Sequence, residues 1–228
     1  RGPHSAHRTW NQMMKHVTSF AVSAGLLAGM LGMGAFWLLN SAAFGQPIPV
    51  PAANLVRFSS PSIGPADAKV HIVEFLDPAC EGCRAFYPIV KSILAEYPGK
   101  VRLTVRHVAL HKGADFTVRV LEASRKQQKY WEVLEALFAT QSKWAVNHRV
   151  IPEAVLASVS GVGLNMNQLQ RDMENPAIAQ LMAQDLADAK ALKVAQTPDF
   201  YVNGKHLEPF GVNELRKLVR DEVTAAYR

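Results

Sequence analysis

The chain has 228 residues, of which 49% are apolar, and a formal net charge of +6. That length suits one domain of ordinary size with an appendage, and the apolar share is enough for a sizeable core. Arg1, Arg8 and Lys15 carry half of the excess charge and no acidic residue precedes Asp67. The remainder is nearly balanced and offers no clustered basic face, which argues against nucleic-acid binding.

Val17 to Leu39 contains no charged residue. At about 1.5 Å per residue, a helix over this stretch is long enough to cross a bilayer. Basic residues precede it and the next charge downstream is Arg57. That asymmetry predicts a cytoplasmic N-terminus and an extracytoplasmic remainder anchored in the inner membrane. The small residues Ser41-Ala42-Ala43 suit the competing alternative, a cleaved signal peptide that releases the domain to the periplasm. The length of the run favours the anchor. Met13 or Met14 ahead of Lys15 resembles a natural start, which would leave residues 1–12 upstream of it.

Pro47, Pro49, Pro51 and Pro61 punctuate a stretch with neither helical nor alternating periodicity, read as an extended tether. Residues 1–56 are therefore expected to form tail, anchor or signal, and tether. Residues 57–228 are expected to form the folded domain, facing a compartment where disulfides persist.

Lys69 to Leu76 is rich in β-branched and aromatic residues and reads as a buried strand. Asp77-Pro78-Ala79 breaks it. Cys80 opens a helix whose Phe86, Ile89, Val90, Ile93 and Leu94 form one apolar stripe, ended by Pro98-Gly99. Val101, Leu103 and Val105 alternate with Arg102, Thr104 and Arg106, predicting a second strand. From about 113 to 193 the pattern is helical. Trp131, Leu134, Leu137 and Phe138 share one face, and Asp185 interrupts the stripe of Ile178, Leu181, Ala189 and Leu192. Asp199 to Val202 is a strand, Asn203-Gly204 a hairpin turn, and Lys205 to Glu208 the returning strand. A C-terminal helix follows Gly211.

The two cysteines, Cys80 and Cys83, are three positions apart, which suits a site better than a structural disulfide framework. At a helix start, unpaired N–H groups and the dipole favour a thiolate on Cys80, making it the attacking sulfur. Cys83, one turn in and more enclosed, resolves the mixed disulfide. Zinc wants four ligands and no second cysteine pair exists, so no metal centre is expected. His107 and His111 read as surface or packing residues. A rival from another class is a carrier of Cu(I), a soft ion suited to the Cys80 and Cys83 thiolates. Glu74 lies within an apolar strand, either as a buried acid or at a strand edge facing solvent. Pro198 either ends the preceding helical segment or forms a cis peptide with Thr197.

The order strand, helix, strand, helical block, hairpin, helix, with Cys80-Glu81-Gly82-Cys83 at the first strand-to-helix junction, resembles the α/β thioredoxin fold. The helical insertion resembles its DsbA-like branch of disulfide oxidoreductases. Glu74, six residues before Cys80, falls where that family keeps a buried acid. Pro88 falls where thioredoxins carry a helix-kinking proline, and Thr197-Pro198 resembles the cis-proline loop. The resemblance implies that Glu74 moves a proton to and from Cys83 and that Thr197 and Pro198 present backbone to substrate. It implies no organic cofactor. The implied partners are cysteine-containing exported proteins and a membrane or thiol redox partner that resets the cysteines.

Glu81-Gly82 departs from the Pro-His or Pro-aromatic dipeptide usual in that branch. A carboxylate beside the Cys80 sulfur is expected to raise its pKa and to make the couple a weaker oxidant.

Overall fold

The computed structural model describes residues 55–228. The expected anchor or signal over Val17–Leu39 lies outside them. Among the described residues no helix is long and apolar enough to cross a membrane.

Among the described residues, seven strands and eight α-helices follow in chain order. They are β1 (Ser62–Ile63), β2 (Val70–Leu76), α1 (Glu81–Glu96), β3 (Val101–His107), α2 (Ala114–Ser124), α3 (Tyr130–Ala139) and α4 (Gln141–Trp144). Next come β4 (Ala145–Val146), β5 (Arg149–Val150), α5 (Pro152–Val159), α6 (Met166–Met173) and α7 (Pro176–Ala191). The chain closes with β6 (Asp199–Val202), β7 (Lys205–His206) and α8 (Val212–Ala226). The main sheet has the order β1-β3-β2-β6-β7. Its central strand β2 runs parallel to β3 and antiparallel to β6. The helical block expected at about 113–193 is present as α2 to α7, interrupted by the β4–β5 hairpin, which periodicity did not foresee.

β2 is a near-continuous apolar run because both faces of the sheet are covered. Val70, Ile72 and Leu76 belong to the larger core with Val90 and Ile93 of α1, Leu215 and Val219 of α8, and the helical block. Val73 and Phe75 face the other way, into a smaller cluster with Ala189 of α7, Tyr201 and Leu55. Alternation along the strand therefore directs Glu74 to the α1 side. Leu55 is only 2% exposed, so the packed chain extends at least two residues ahead of the expected start at Arg57.

Thr104 and Arg106, two of the three polar residues that alternate along β3, are also buried, and here the structure corrects the picture drawn from the sequence. Arg106 is fully buried. Its Nε donates to Asp185 at 2.9 Å, one terminal nitrogen to Asp188 at 2.6 Å and the other to the Leu55 carbonyl at 2.8 Å. Asp185 also accepts the His107 N–H at 2.9 Å. The residue that interrupted the α7 stripe is thus the partner of a buried cation. Arg57 adds a bidentate pair to Asp188 at 2.8 and 2.7 Å. These bonds fasten α7 and the start of the domain to the sheet, each buried charge being offset by hydrogen bonds rather than left alone. His107 is a packing residue, as expected: its ring meets the Tyr130 hydroxyl at 3.0 Å, and burial pushes its pKa down to about 3.

Candidate active site

Cys80 is the N-cap of α1, with extended φ and ψ of −79° and 124°. Its position follows from the breaker before it. The Asp77 side chain turns back to accept the Ala79 N–H at 2.8 Å, and the Asp77 carbonyl accepts the Cys80 N–H at 3.0 Å. The other Asp77 carboxylate oxygen accepts the N–H groups of Leu110 and His111 at 2.7 and 2.9 Å and contacts His111 Nδ1 at 2.8 Å. One buried carboxylate thus joins the loop before α1 to the loop after β3. Gln141 Nε2, from the helical insertion, donates to the carbonyls of Pro78 and Cys80 at 2.9 and 3.0 Å. Asp77 had read only as a strand breaker, although Asp two residues before a turn N–H is an Asx-turn signature. Nothing local in the sequence pointed to Gln141.

The two thiols differ as expected. Cys80 is 8% exposed and Cys83 is completely buried. A hydrogen bond from the Cys83 thiol, one from the Thr197 side chain, and the backbone N–H groups of Cys83 and Gly82 bring the Cys80 pKa down to about 5. Burial pushes Cys83 the other way, and the charge on Cys80 adds to the rise. Cys80 is therefore ionised at neutral pH while Cys83 keeps its proton.

The carboxylate of Glu81 is exposed. It lies with His111 and His148, each pair of their ligand atoms being within 4.8 Å. Hydrogen bonds lead the causes that lower the Cys80 pKa.

Glu74 is fully buried on β2, and neither carboxylate oxygen has a hydrogen-bond partner among the described residues. Burial, with a smaller contribution from the Cys80 charge, pushes its pKa up to about 8. It also helps to raise Cys83. The buried-acid alternative for Glu74 thus describes the structure, and the solvent-facing one does not.

Thr197-Pro198 is a cis peptide, and the Thr197 carbonyl oxygen lies 3.1 Å from Cys80 Sγ, placed to accept the S–H hydrogen bond of the protonated thiol and to face the sulfur of the thiolate. Pro88 lies inside α1. Cys80, Cys83, Thr197 and Pro198 meet at one end of α1, and the charge of Cys80 acts on Glu74.

Gly82 is the contact the sequence did not reveal. A Cβ there would stand 3.0 Å from Pro198 Cδ and 3.4 Å from Cys80 Sγ. The cis-proline loop approaches the redox helix so closely because this residue has no side chain. Gly82→Ala is expected to slow exchange with a peptide disulfide several-fold, a barrier change of about 1 kcal/mol. Stability should change by less than about 1 kcal/mol, because the better helix former offsets part of the crowding. Stopped-flow exchange rates beside denaturant titrations test this, and an unchanged rate would mean the loop yields without consequence.

A family model described as Thioredoxin matches residues 58–221. A thioredoxin-like oxidoreductase from Silicibacter pomeroyi is 30% identical in sequence and superposes with a TM-score of 0.66, covering 78% of this chain and 98% of that one. A probable disulfide bond formation protein D from Bacillus cereus is 29% identical over 171 residues, 71% of this chain and 78% of the relative. A Na+/H+ antiporter NhaA from Herminiimonas arsenicoxydans is 28% identical over 144 residues, 63% of this chain but 22% of the antiporter. The chain thus spans about a fifth of the length of that curated relative. With the family model spanning most of the described residues and the cysteine pair seated against the cis-proline loop, the chain belongs to the thioredoxin family.

Proposed function

We propose that this protein exchanges disulfides with cysteine-containing exported proteins on the extracytoplasmic side of the membrane, through Cys80 and Cys83. The observation that carries this is the asymmetry of the pair: an ionised, reachable Cys80 against the Thr197 carbonyl, and a protonated, enclosed Cys83 behind it.

Starting from the dithiol, the Cys80 thiolate attacks one sulfur of a substrate disulfide. A Cys80–substrate disulfide forms and the other substrate sulfur leaves as thiolate. Cys83 then gives up its proton and attacks Cys80 Sγ. The Cys80–Cys83 disulfide forms and the second substrate thiolate leaves, so that two electrons have passed to the substrate. The reverse sequence oxidises a substrate dithiol. The buried carboxyl of Glu74 is the group beside the pair that exchanges a proton with Cys83, its pKa being close enough to neutrality to serve in both directions. Thr197 and Pro198 align the substrate chain as an added strand. A membrane or thiol redox partner resets the pair.

A glutathione titration tests the reading. Wild type should settle to a single two-electron equilibrium between dithiol and disulfide, and Cys80→Ser should show none. A pair that fails to exchange with glutathione or with a peptide disulfide overturns the proposal.

Thr197→Val keeps the carbonyl that faces Cys80 but removes the side-chain hydrogen bond that helps hold its charge. The Cys80 pKa should rise by up to about one unit, worth about 1.4 kcal/mol, and the set of captured partners should change while thiol exchange persists. Thiolate absorbance against pH and the profile of trapped proteins check the two parts. An identical pKa and partner profile would remove Thr197 from the substrate contact.

A further inference from the structure

We propose that Glu81, His111 and His148 form a binding site for a divalent transition-metal ion of the Zn2+ type at the rim of the redox centre. One carboxylate oxygen and one ring nitrogen from each histidine lie within 4.8 Å of one another. Tetrahedral Zn2+ with bonds of about 2.0–2.1 Å needs its ligand atoms about 3.3 Å apart. The cluster therefore has to contract by at most about 1.5 Å, within the rotamer freedom of an exposed Glu81 and His148. Two imidazoles and a carboxylate suit Zn2+ and its transition-metal neighbours, whereas Ca2+ and Mg2+ prefer all-oxygen sets. Three protein ligands leave one position of the tetrahedron for water or a small anion.

The support around the cluster is what separates it from a chance meeting of polar side chains. His111 Nδ1 is 2.8 Å from Asp77, whose side chain is fully buried. That bond places the ring proton on Nδ1 and leaves Nε2 as the ligand atom, the carboxylate–histidine–metal arrangement that orients ligands in zinc proteins. Asp77 is itself held by three backbone N–H groups, so the His111 ring has a fixed base.

His148 arrives from the helical insertion on the turn between β4 and β5. Asn147 and His148 both have left-handed φ, 49° and 58°, as a two-residue hairpin turn requires. Glycine is the favoured residue at the second of these positions, and a histidine there is the costlier choice. The hairpin is tied to the segment after His111, where Val150 N–H donates to the Lys112 carbonyl at 3.0 Å and Lys112 pairs with Arg149. The two imidazole rings accordingly stack, with centroids 5.8 Å apart and planes 20° from parallel. Glu81, the first residue of α1, completes the set. This site is separate from the Cu(I) alternative, because it uses neither cysteine.

The test is calorimetric titration of the full chain with Zn2+, with the Cys80–Cys83 disulfide formed so that no thiolate competes. One equivalent should bind. His148→Ala should weaken that binding at least about 10-fold, in line with the loss of a ligand or its support, and Glu81→Gln should weaken it several-fold. His148 lies on an exposed turn, so its variant should fold, and unchanged circular dichroism checks this. No saturable binding to the oxidised protein overturns the site. Binding that survives His148→Ala undiminished also overturns it, and assigns the ion to other histidines of the chain, such as His4, His7 or His16.

Discussion

Cys83→Ser should accumulate mixed disulfides with partner proteins through Cys80, and Cys80→Ser should form none. The difference is set by burial and charge. Cys80 is the reachable thiol and its pKa is about 5. At pH 7 it is therefore mostly thiolate. Cys83 is completely enclosed and its pKa is pushed up by burial. Substrate sulfur therefore meets Cys80 first. With Cys83 removed, the mixed disulfide lacks its internal attacker, and its lifetime is set by slow external thiols. With Cys80 removed, the remaining thiol is both protonated and out of reach, and catalysed exchange should be lost entirely. Non-reducing gels of cells expressing each variant read the outcome, and a reducing agent should release the trapped partners. Equal trapping by both variants would overturn the assignment of attacking and resolving sulfur. So would capture by Cys80→Ser alone.

The redox pair was legible in the sequence because its chemistry demands fixed local spacing. Two cysteines at a strand-to-helix break, and Thr-Pro directly before a strand, are patterns that survive without tertiary knowledge. The covered strand β2 was legible for a similar reason, since a run buried on both faces is apolar throughout. What escaped were polar residues whose partners lie far along the chain. Asp185 read as a flaw because its partner Arg106 is 79 residues away. Arg106, in turn, read as one of the polar residues alternating along β3. A buried ion pair leaves no periodic trace: each half looks like a surface residue until the other is found. Gln141 escaped in the same way, bonded to carbonyls 61 and 63 residues earlier. The grouping of Glu81 with His111 and His148 escaped in the same way, because both histidines lie far along the chain from Glu81.

Glu74→Gln should make the protein more stable at alkaline pH and leave it nearly unchanged in acid. In the folded state burial raises the Glu74 pKa from 4.5 to about 8. Between those values the folded protein keeps a proton that the unfolded chain has released. Stability contributed by this group is therefore fully present below pH 4.5 and falls as pH rises toward 8. At about 1.4 kcal/mol per unit, the accumulated loss is on the order of 4 kcal/mol. Glutamine has nearly the same shape and cannot ionise, so the variant escapes the loss. Cys80 acts in the opposite sense in the dithiol form. Its pKa is lowered from 9.0 to about 5, so its contribution grows as pH rises across that window and masks the effect of Glu74 in wild type. The disulfide form removes the masking, because Cys80 no longer ionises. It also removes the smaller, Cys80-derived part of the Glu74 shift, while burial, the larger cause, remains. Denaturant midpoints of oxidised wild type and oxidised Glu74→Gln, taken from pH 4 to 9, should converge at the acid end and separate progressively toward pH 8. The same comparison on the dithiol proteins should separate further, and the increment measures the coupling between Glu74 and the Cys80 thiolate. A difference that stays constant across the whole range would show that Glu74 ionises normally in the folded protein. It could then not serve as the acid that keeps its proton at neutral pH and exchanges it with Cys83.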